Sequence, residues 1–147
     1  MINELFAPFH DLAILILRLF VGVIFIVHGW PKLNPRSPMK GVAGFGGFLK
    51  QMGVPLPMFL AWVVALLETV GAVLLFLGLG TRILAAGFAI NMLVAILLAK
   101  IRFLRVGFTA QQATGWEFDF LILGVSLALF ITGSGGLGLD RLLGLPF

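Results

Sequence analysis

Four long apolar runs constrain this chain more than any other feature: residues 12–27, 56–79, 83–99 and 118–132. Each is nearly free of charge. Arg18 interrupts the first and Glu68 the second. The third carries one amide, Asn91, and the fourth carries Asp119 near its start. A hydrocarbon core of about 30 Å takes about 20 helical residues, with a range of about 17–25. The second and third runs meet that length, while the first and fourth borrow from their flanks. Composition closes off the soluble alternative, since 61% of the 147 residues are hydrophobic, 19 more are glycine, and only ten Lys/Arg and six Asp/Glu remain. A soluble domain needs about a quarter of its residues charged, and disorder needs low hydrophobicity with high charge. The reading is an all-α integral membrane four-helix bundle, a single domain over residues 1–147.

The breaks fall between the runs. Gly78-Leu79-Gly80-Thr81-Arg82 links the second and third as an antiparallel hairpin. Pro55 and Pro57 open the second, where missing amide donors cost little. Residues 133–138 close the fourth. The first eleven residues hold Glu4 and Asp11 but no Lys or Arg, and no A-x-A site follows the first run. The first helix is therefore expected to be a retained anchor rather than a signal peptide. The loops after helices one and three carry Lys32, Arg36, Lys40, Lys50, Lys100, Arg102 and Arg105, against Arg82 and Arg141 on the other side. That bias predicts those two loops in the cytoplasm. A net charge of +4 is thus explained by orientation in a membrane, with nucleic acid not indicated as a partner.

The first loop, residues 29–54, is long. Val42, Phe45, Phe48, Leu49 and Met52 share one helical face. This is an interfacial or re-entrant helix, or else a loop loosened by Gly41, Gly44, Gly46 and Gly47.

Arg18 lies ten residues before His28, a depth of about 15 Å. Glu68 lies eleven residues after Pro57, about 16 Å deep. Asn91, midway along the third run, reaches the same layer. An unpaired charge at that depth costs roughly 2.5–3.5 kcal/mol or more. The expectation is an Arg18–Glu68 ion pair near the midplane, with Asn91 bonded to either charge. Such a layer is interhelical glue, or it is the polar spot of a lipophilic cavity that binds a quinone head group or relays a proton. His28-Gly29-Trp30-Pro31-Lys32 ends helix one, as an interfacial anchor or as a titrating cluster. Glu117 and Asp119 lie on the same side and are placed to pair with His28 or Lys32.

Catalytic chemistry finds little footing. The chain has no cysteine, which removes disulfides, thiolate metal sites and catalytic thiols. His10 and His28 are eighteen residues apart, about 27 Å along a helix, so they do not share a metal within one subunit. No nucleophile–base arrangement or phosphate-binding glycine loop is present, and catalytic residues stay unassigned.

The motifs together resemble the DoxX family of small membrane proteins. Arg18, Gly22, Phe25 and His28-Gly29-x-x-Lys32 are similar to its start, and Gly53-Val54-Pro55 leads into helix two in the family's manner. Glu68-Thr69-Val70-Gly71, then Gly78-Leu79-Gly80-Thr81-Arg82 and Met92, resemble its E-x-x-G, G-L-x-T-R and helix-three methionine. Gly115-Trp116-Glu117 looks like the polar lead-in to helix four. Residues 133–140 are similar to a terminal G-P-G-x-x-S-L-D, with Ser134 in place of proline and Gly138 in place of serine. The resemblance implies a multi-pass protein of the bacterial or archaeal cell (inner) membrane. It also implies a link to quinone-facing subunits of thiosulfate:quinone oxidoreductase, or to assemblies handling thiol and oxidative stress. Related eukaryotic proteins act as membrane chaperones or cargo receptors.

Two readings follow. In one, an oxidoreductase-associated subunit binds a quinone-like ligand through Arg18, Glu68, Asn91, His28 and Lys32, with no metal or covalent cofactor, and works with a membrane or peripheral redox partner. In the other, a non-enzymatic scaffold or chaperone presents its basic loops. A small transporter ranks third and would need a homodimer, for which Ala85, Ala86, Gly87 and Ala89 offer a small-residue face. Membrane lipids surround the chain in every case.

Overall fold

The computed structural model describes residues 6–110 and 114–146. A short 3-10 turn, Ala7–Phe9, leads into α1, His10–Leu33. Then come α2, Gly41–Gln51, and α3, Pro57–Leu77. A π-helical turn at Leu67–Gly71 interrupts α3. Next is α4, Thr81–Leu104, whose final ten residues, Ala95–Leu104, are π-helical. The chain ends with α5, Glu117–Thr132, and one short turn of helix, α6, Leu139–Leu142. The described residues contain no strand.

The apolar runs became these helices for the expected reason, and they pack as a bundle. α1 packs on α3 and α5, and α1 against α3 and α4 against α5 are the two most extensive contacts. Phe25 of α1 stacks on Phe88 of α4 with ring centroids 4.0 Å apart. Ile14, Val21, Leu75, Ala85 and Leu129 are buried around that pair. The outside is as apolar as the inside: Phe20 is 68% exposed and Ile90 64%. Water would not support such a surface; lipid does, because every backbone group of a helix is satisfied internally. Ala7–Leu33, Pro57–Leu77 and Thr81–Leu104 are long and apolar enough to cross a membrane. At 16 residues α5 is shorter, about 24 Å, and completes the bundle against α4.

The first loop contains a true helix. Val42, Phe45 and Leu49 of α2 are buried against Ala61 and Ala65 of α3, both without exposed surface. Four glycines did not prevent it, because packing of an amphipathic face outweighs intrinsic propensity. The small-residue stretch on α4 is engaged within the chain: Ala85 lies in the core and Gly87 faces the Leu67 side chain.

The register between α1 and α3 is set by close approaches. Gly29 abuts the backbone of Glu68, with a would-be Cβ only 2.7 Å from it. Gly22 faces Ala72 and Phe76, and Arg18 faces Gly78. α3 therefore begins well beyond the end of α1, and α2 packs on the overhang.

At the far end from α2, the turn between α3 and α4 is locked. Gly78 takes φ +72°, and a side chain there would collide with the Arg18 guanidinium. The Asp140 carboxylate accepts hydrogen bonds from the Gly80 and Thr81 amides at 2.6 and 2.9 Å, and the Asp140 amide donates to the Gly78 carbonyl at 2.8 Å. Asp140 thus caps α4 from the chain's other end. Arg82 closes α5 in return, its Nη1 donating to the carbonyls of Phe130 and Ile131 at 3.1 and 2.9 Å. Asp11 accepts from the Gly136 amide at 2.7 Å.

This lock predicts a difference between two glycines of similar backbone angle. Gly78→Ala should cost roughly 2 kcal/mol or more, since strain and collision add. Gly144→Ala, at φ +64° with open space around it, should cost about 1 kcal/mol. Thermal unfolding of both variants in detergent checks this, and equal losses would count against the lock.

Candidate functional site

The site grows from Glu68. It sits in the π-helical turn of α3, where one extra residue per turn breaks the regular ladder. Thr69 beside it returns its hydroxyl to the Ala65 carbonyl at 2.6 Å. Because Gly29 lets α1 touch the Glu68 backbone, Lys32, three residues on along the same face, reaches the carboxylate. Lys32 Nζ and Glu68 Oε2 form a hydrogen-bonded ion pair. From α4, Asn91 Nδ2 donates to Glu68 Oε1 at 2.7 Å. The side chains of Lys32 and Glu68 are 12% and 4% exposed. The ammonium also lies 5.0 Å from the centre of the Phe45 ring, which ties the pair to α2.

These groups form one wall of a cavity of about 560 Å³. Ile24, Phe25, Phe45, Leu49, Met92 and Ile122 supply apolar walls. Phe48 of α2 and Met52 just after it also line the cavity, and Phe48 meets Phe103 of α4 edge-on at 5.7 Å. His28 also lines the cavity, 6.0 Å from the Phe118 ring.

The structure brings together four of the five expected residues, His28, Lys32, Glu68 and Asn91, and leaves out Arg18. The expected Arg18–Glu68 pair does not form. Glu68 is level with Gly29, eleven residues or about 16 Å along α1 from Arg18. Arg18 is fully buried at the opposite end of the bundle, where its Nη2 donates to the Leu137 carbonyl at 3.1 Å. It also sits in the field of the Asp140 carboxylate. Its partners come from the carboxy-terminal segment, so it belongs to the lock rather than to the cavity.

Two cavity residues were absent from the expected set. Lys100 donates to the carbonyl and hydroxyl of Thr114 at 2.7 and 2.9 Å, and Asp119 lies 4.0 Å from its ammonium. Both line the cavity. Asp119 was expected to pair with His28 or Lys32; its ion-pair contact is with Lys100, and it also lies in the field of His28 on the same cavity wall. The usable signal was position: one charge near the end of the third run and its opposite at the start of the fourth. Among the described residues, no three of His, Asp and Glu gather as a metal would require.

Comparison with known proteins agrees with the motifs. The DoxX family profile matches residues 13–101. The chain belongs to the DoxX family. Its relatives include "Putative oxidoreductase CatD" of Bacillus subtilis (strain 168), 38% identical over 130 residues, which cover 88% of this chain and 86% of that protein. "Inner membrane protein YphA" of Escherichia coli (strain K12) is 31% identical over 138 residues, 92% of this chain and 94% of that protein. "Inner membrane protein YqjF" of the same organism is 32% identical over 135 residues, covering 90% and 93%. No solved structure matches the chain. With its apolar helices, this DoxX protein is a membrane protein.

Removing one partner of the buried pair should hurt more than removing both. Lys32→Met leaves Glu68 uncompensated and should cost about 3–5 kcal/mol. Adding Glu68→Leu should recover much of that loss. Melting temperatures of the two single variants and the double variant complete the cycle. Strict additivity would show that the two side chains do not interact.

Proposed function

We propose that this DoxX protein is the ligand-binding membrane subunit of an oxidoreductase or oxidative-stress system, and that it holds a lipophilic, quinone-like molecule between its helices. The observation that carries this reading is the cavity itself. At about 560 Å³ it falls in the range of small-molecule sites, and it joins apolar walls to a few fixed polar groups. Those features fit a quinone: Phe25, Phe45 and Met92 would flank the ring, while Lys32 and Asn91 would offer donors to a carbonyl oxygen. Glu68 orients both donors, and His28 stands at the same wall. When bound, a quinone supplies two-electron, two-proton carrier chemistry. The chain has no cysteine of its own, so electrons would come from a partner protein. The name of the Bacillus relative points the same way.

The experiment is extraction. Protein purified from native membranes into lipid nanodiscs should release a quinone near one per chain on organic extraction, read by mass spectrometry. Glu68→Gln, which keeps the shape but loosens Lys32, should lower that occupancy severalfold. Phospholipid alone in the extract would overturn the reading. A co-purifying protein without quinone would instead favour a scaffold or chaperone that presents its basic loops.

Orientation follows from the charge bias: the loops after α1 and α4 face the cytoplasm. Since the chain lacks cysteine, single cysteines report cleanly. Ser37→Cys should resist a membrane-impermeant maleimide in intact cells, and Leu142→Cys should react. The reverse pattern would invert the topology.

A further inference from the structure

Two buried cores flank the cavity. One joins α1, α3, α4 and α5 through Phe25, Ala72, Phe88, Met92 and Ile122. The other joins α2 to the first half of α3 through Val42, Phe45, Leu49, Ala61 and Ala65. The cavity takes wall residues from both: Phe25, Met92 and Ile122 from the first, Phe45 and Leu49 from the second. α2 therefore covers the cavity, and it packs on α3 and α1. Toward α4 its aromatic contact is Phe48 against Phe103, edge-on at 5.7 Å, and Phe103 is 40% exposed.

The backbone marks the same place. Among the described residues, three that are not glycine take left-handed angles: Lys40 at φ +58°, Leu56 at +48° and Arg105 at +54°. Lys40 directly precedes α2, Leu56 ends the link from α2 to α3, and Arg105 directly follows α4, two residues past Phe103. All three thus bound the segments that meet at Phe48 and Phe103. Gly41 at φ +65° adjoins Lys40, and Gly53 at +75° lies just past the other end of α2. Left-handed backbone is costly for a residue with a Cβ, and such strain gathers in switch regions, held by the structure around it. Leu56 is 72% exposed, so its own burial does not hold it there. The facing side carries a second irregularity, the π-helical Ala95–Leu104 stretch of α4, a form met mostly at functional positions.

We infer that α2 is a lid over the cavity, hinged at residues 40–41 and 53–56 and latched by Phe48 on Phe103, and that the cavity exchanges its contents when this latch parts. Phe103 is a positioning residue: it holds the lid and does not line the cavity. The lid's purpose rests on the cavity being the ligand site proposed above, but its motion can be read with no ligand at all.

The test uses the full chain in lipid nanodiscs. Because the chain has no cysteine, Met92→Cys, at a buried position on the cavity wall, supplies a single thiol inside. N-ethylmaleimide is the probe, and mass spectrometry follows its addition. With Phe103→Ala added, the thiol should react about fivefold faster, the worth of one aromatic edge contact. Leu97→Ala, half-exposed on α4 and off the cavity, should leave the rate unchanged. Hydrogen exchange of the α2 amides should be the same with and without Phe103→Ala, since a lid swings with its helix intact. Equal labelling rates with and without Phe103→Ala overturn the inference and put the entrance elsewhere, at the exposed His28 and Phe118. Faster labelling with lost protection in α2 also overturns it, because the helix would be unfolding instead of swinging. So does Leu97→Ala labelling as fast as Phe103→Ala. A lid that responds as stated while extraction yields no quinone leaves the lid and removes the ligand reading; a quinone found alongside equal rates does the reverse.

Discussion

The antiparallel register of α1 against α3 governs the rest of the molecule, and it depends on Gly29. With no side chain there, the two backbones meet at Glu68. That contact brings Lys32 onto the carboxylate and lets Asn91 complete its hydrogen bonds. It also slides α3 past the end of α1, which creates the apolar overhang that α2 covers with Val42, Phe45 and Leu49. The cavity lies where these pieces fail to close completely: below α2, beside the π-helical turn of α3 and against the π-helical end of α4. A regular α-helical bundle would place its side chains in continuous ridges and leave less room.

The register also separates the charges. A bundle in lipid gains little from bringing two apolar helices together, so polar contacts and close packing carry more of the specificity. This chain spends its buried charges at both ends. Glu68 is neutralised beside the cavity by Lys32. Arg18 is held by the Leu137 carbonyl beside the Gly78–Gly80 turn, and Asp140 ties that turn to the chain's last helix. Glu68 is therefore matched by a counter-charge, as the cost of isolating one in hydrocarbon demands, whereas Arg18 has one carbonyl partner, and its Nε and Nη1 are buried without a hydrogen bond among the described residues.

The helices were legible because an apolar run near 20 residues has few other fates. The inner face of α2 was legible too, down to Val42, Phe45 and Leu49. The ion pair was not, although the residues in it were singled out. Counting depth from His28 and Pro57 assumes that both helices end at one level. α1 instead continues through Pro31 to Leu33, and α3 starts beyond it. Equal counts from unequal ends put Arg18 and Glu68 at the same depth on paper. Glycine spacing held the missing information: Gly22 and Gly29 mark where α1 approaches α3, and Lys32 lies one turn past the second. Arg18 lay further out of reach, since its hydrogen-bond partner, Leu137, is 119 residues away in sequence. Nothing in local periodicity announces a contact across that span.

The two ends of the bundle consequently have different chemical characters. At the Arg18 end the polar groups are backbone amides, carbonyls and a capping carboxylate, fixed in a turn with no room for a side chain at Gly78. At the Glu68 end they are long side chains, two of them lysines, around a space large enough for a small molecule. Lysine stems lie along apolar surface while the ammonium turns to whatever acceptor is at hand. A rigid polar network at one end suits holding four helices in register. Adjustable donors around a cavity suit holding something that comes and goes. Placing the first far from the second would let the chain keep its fold while a ligand entered and left the proposed site.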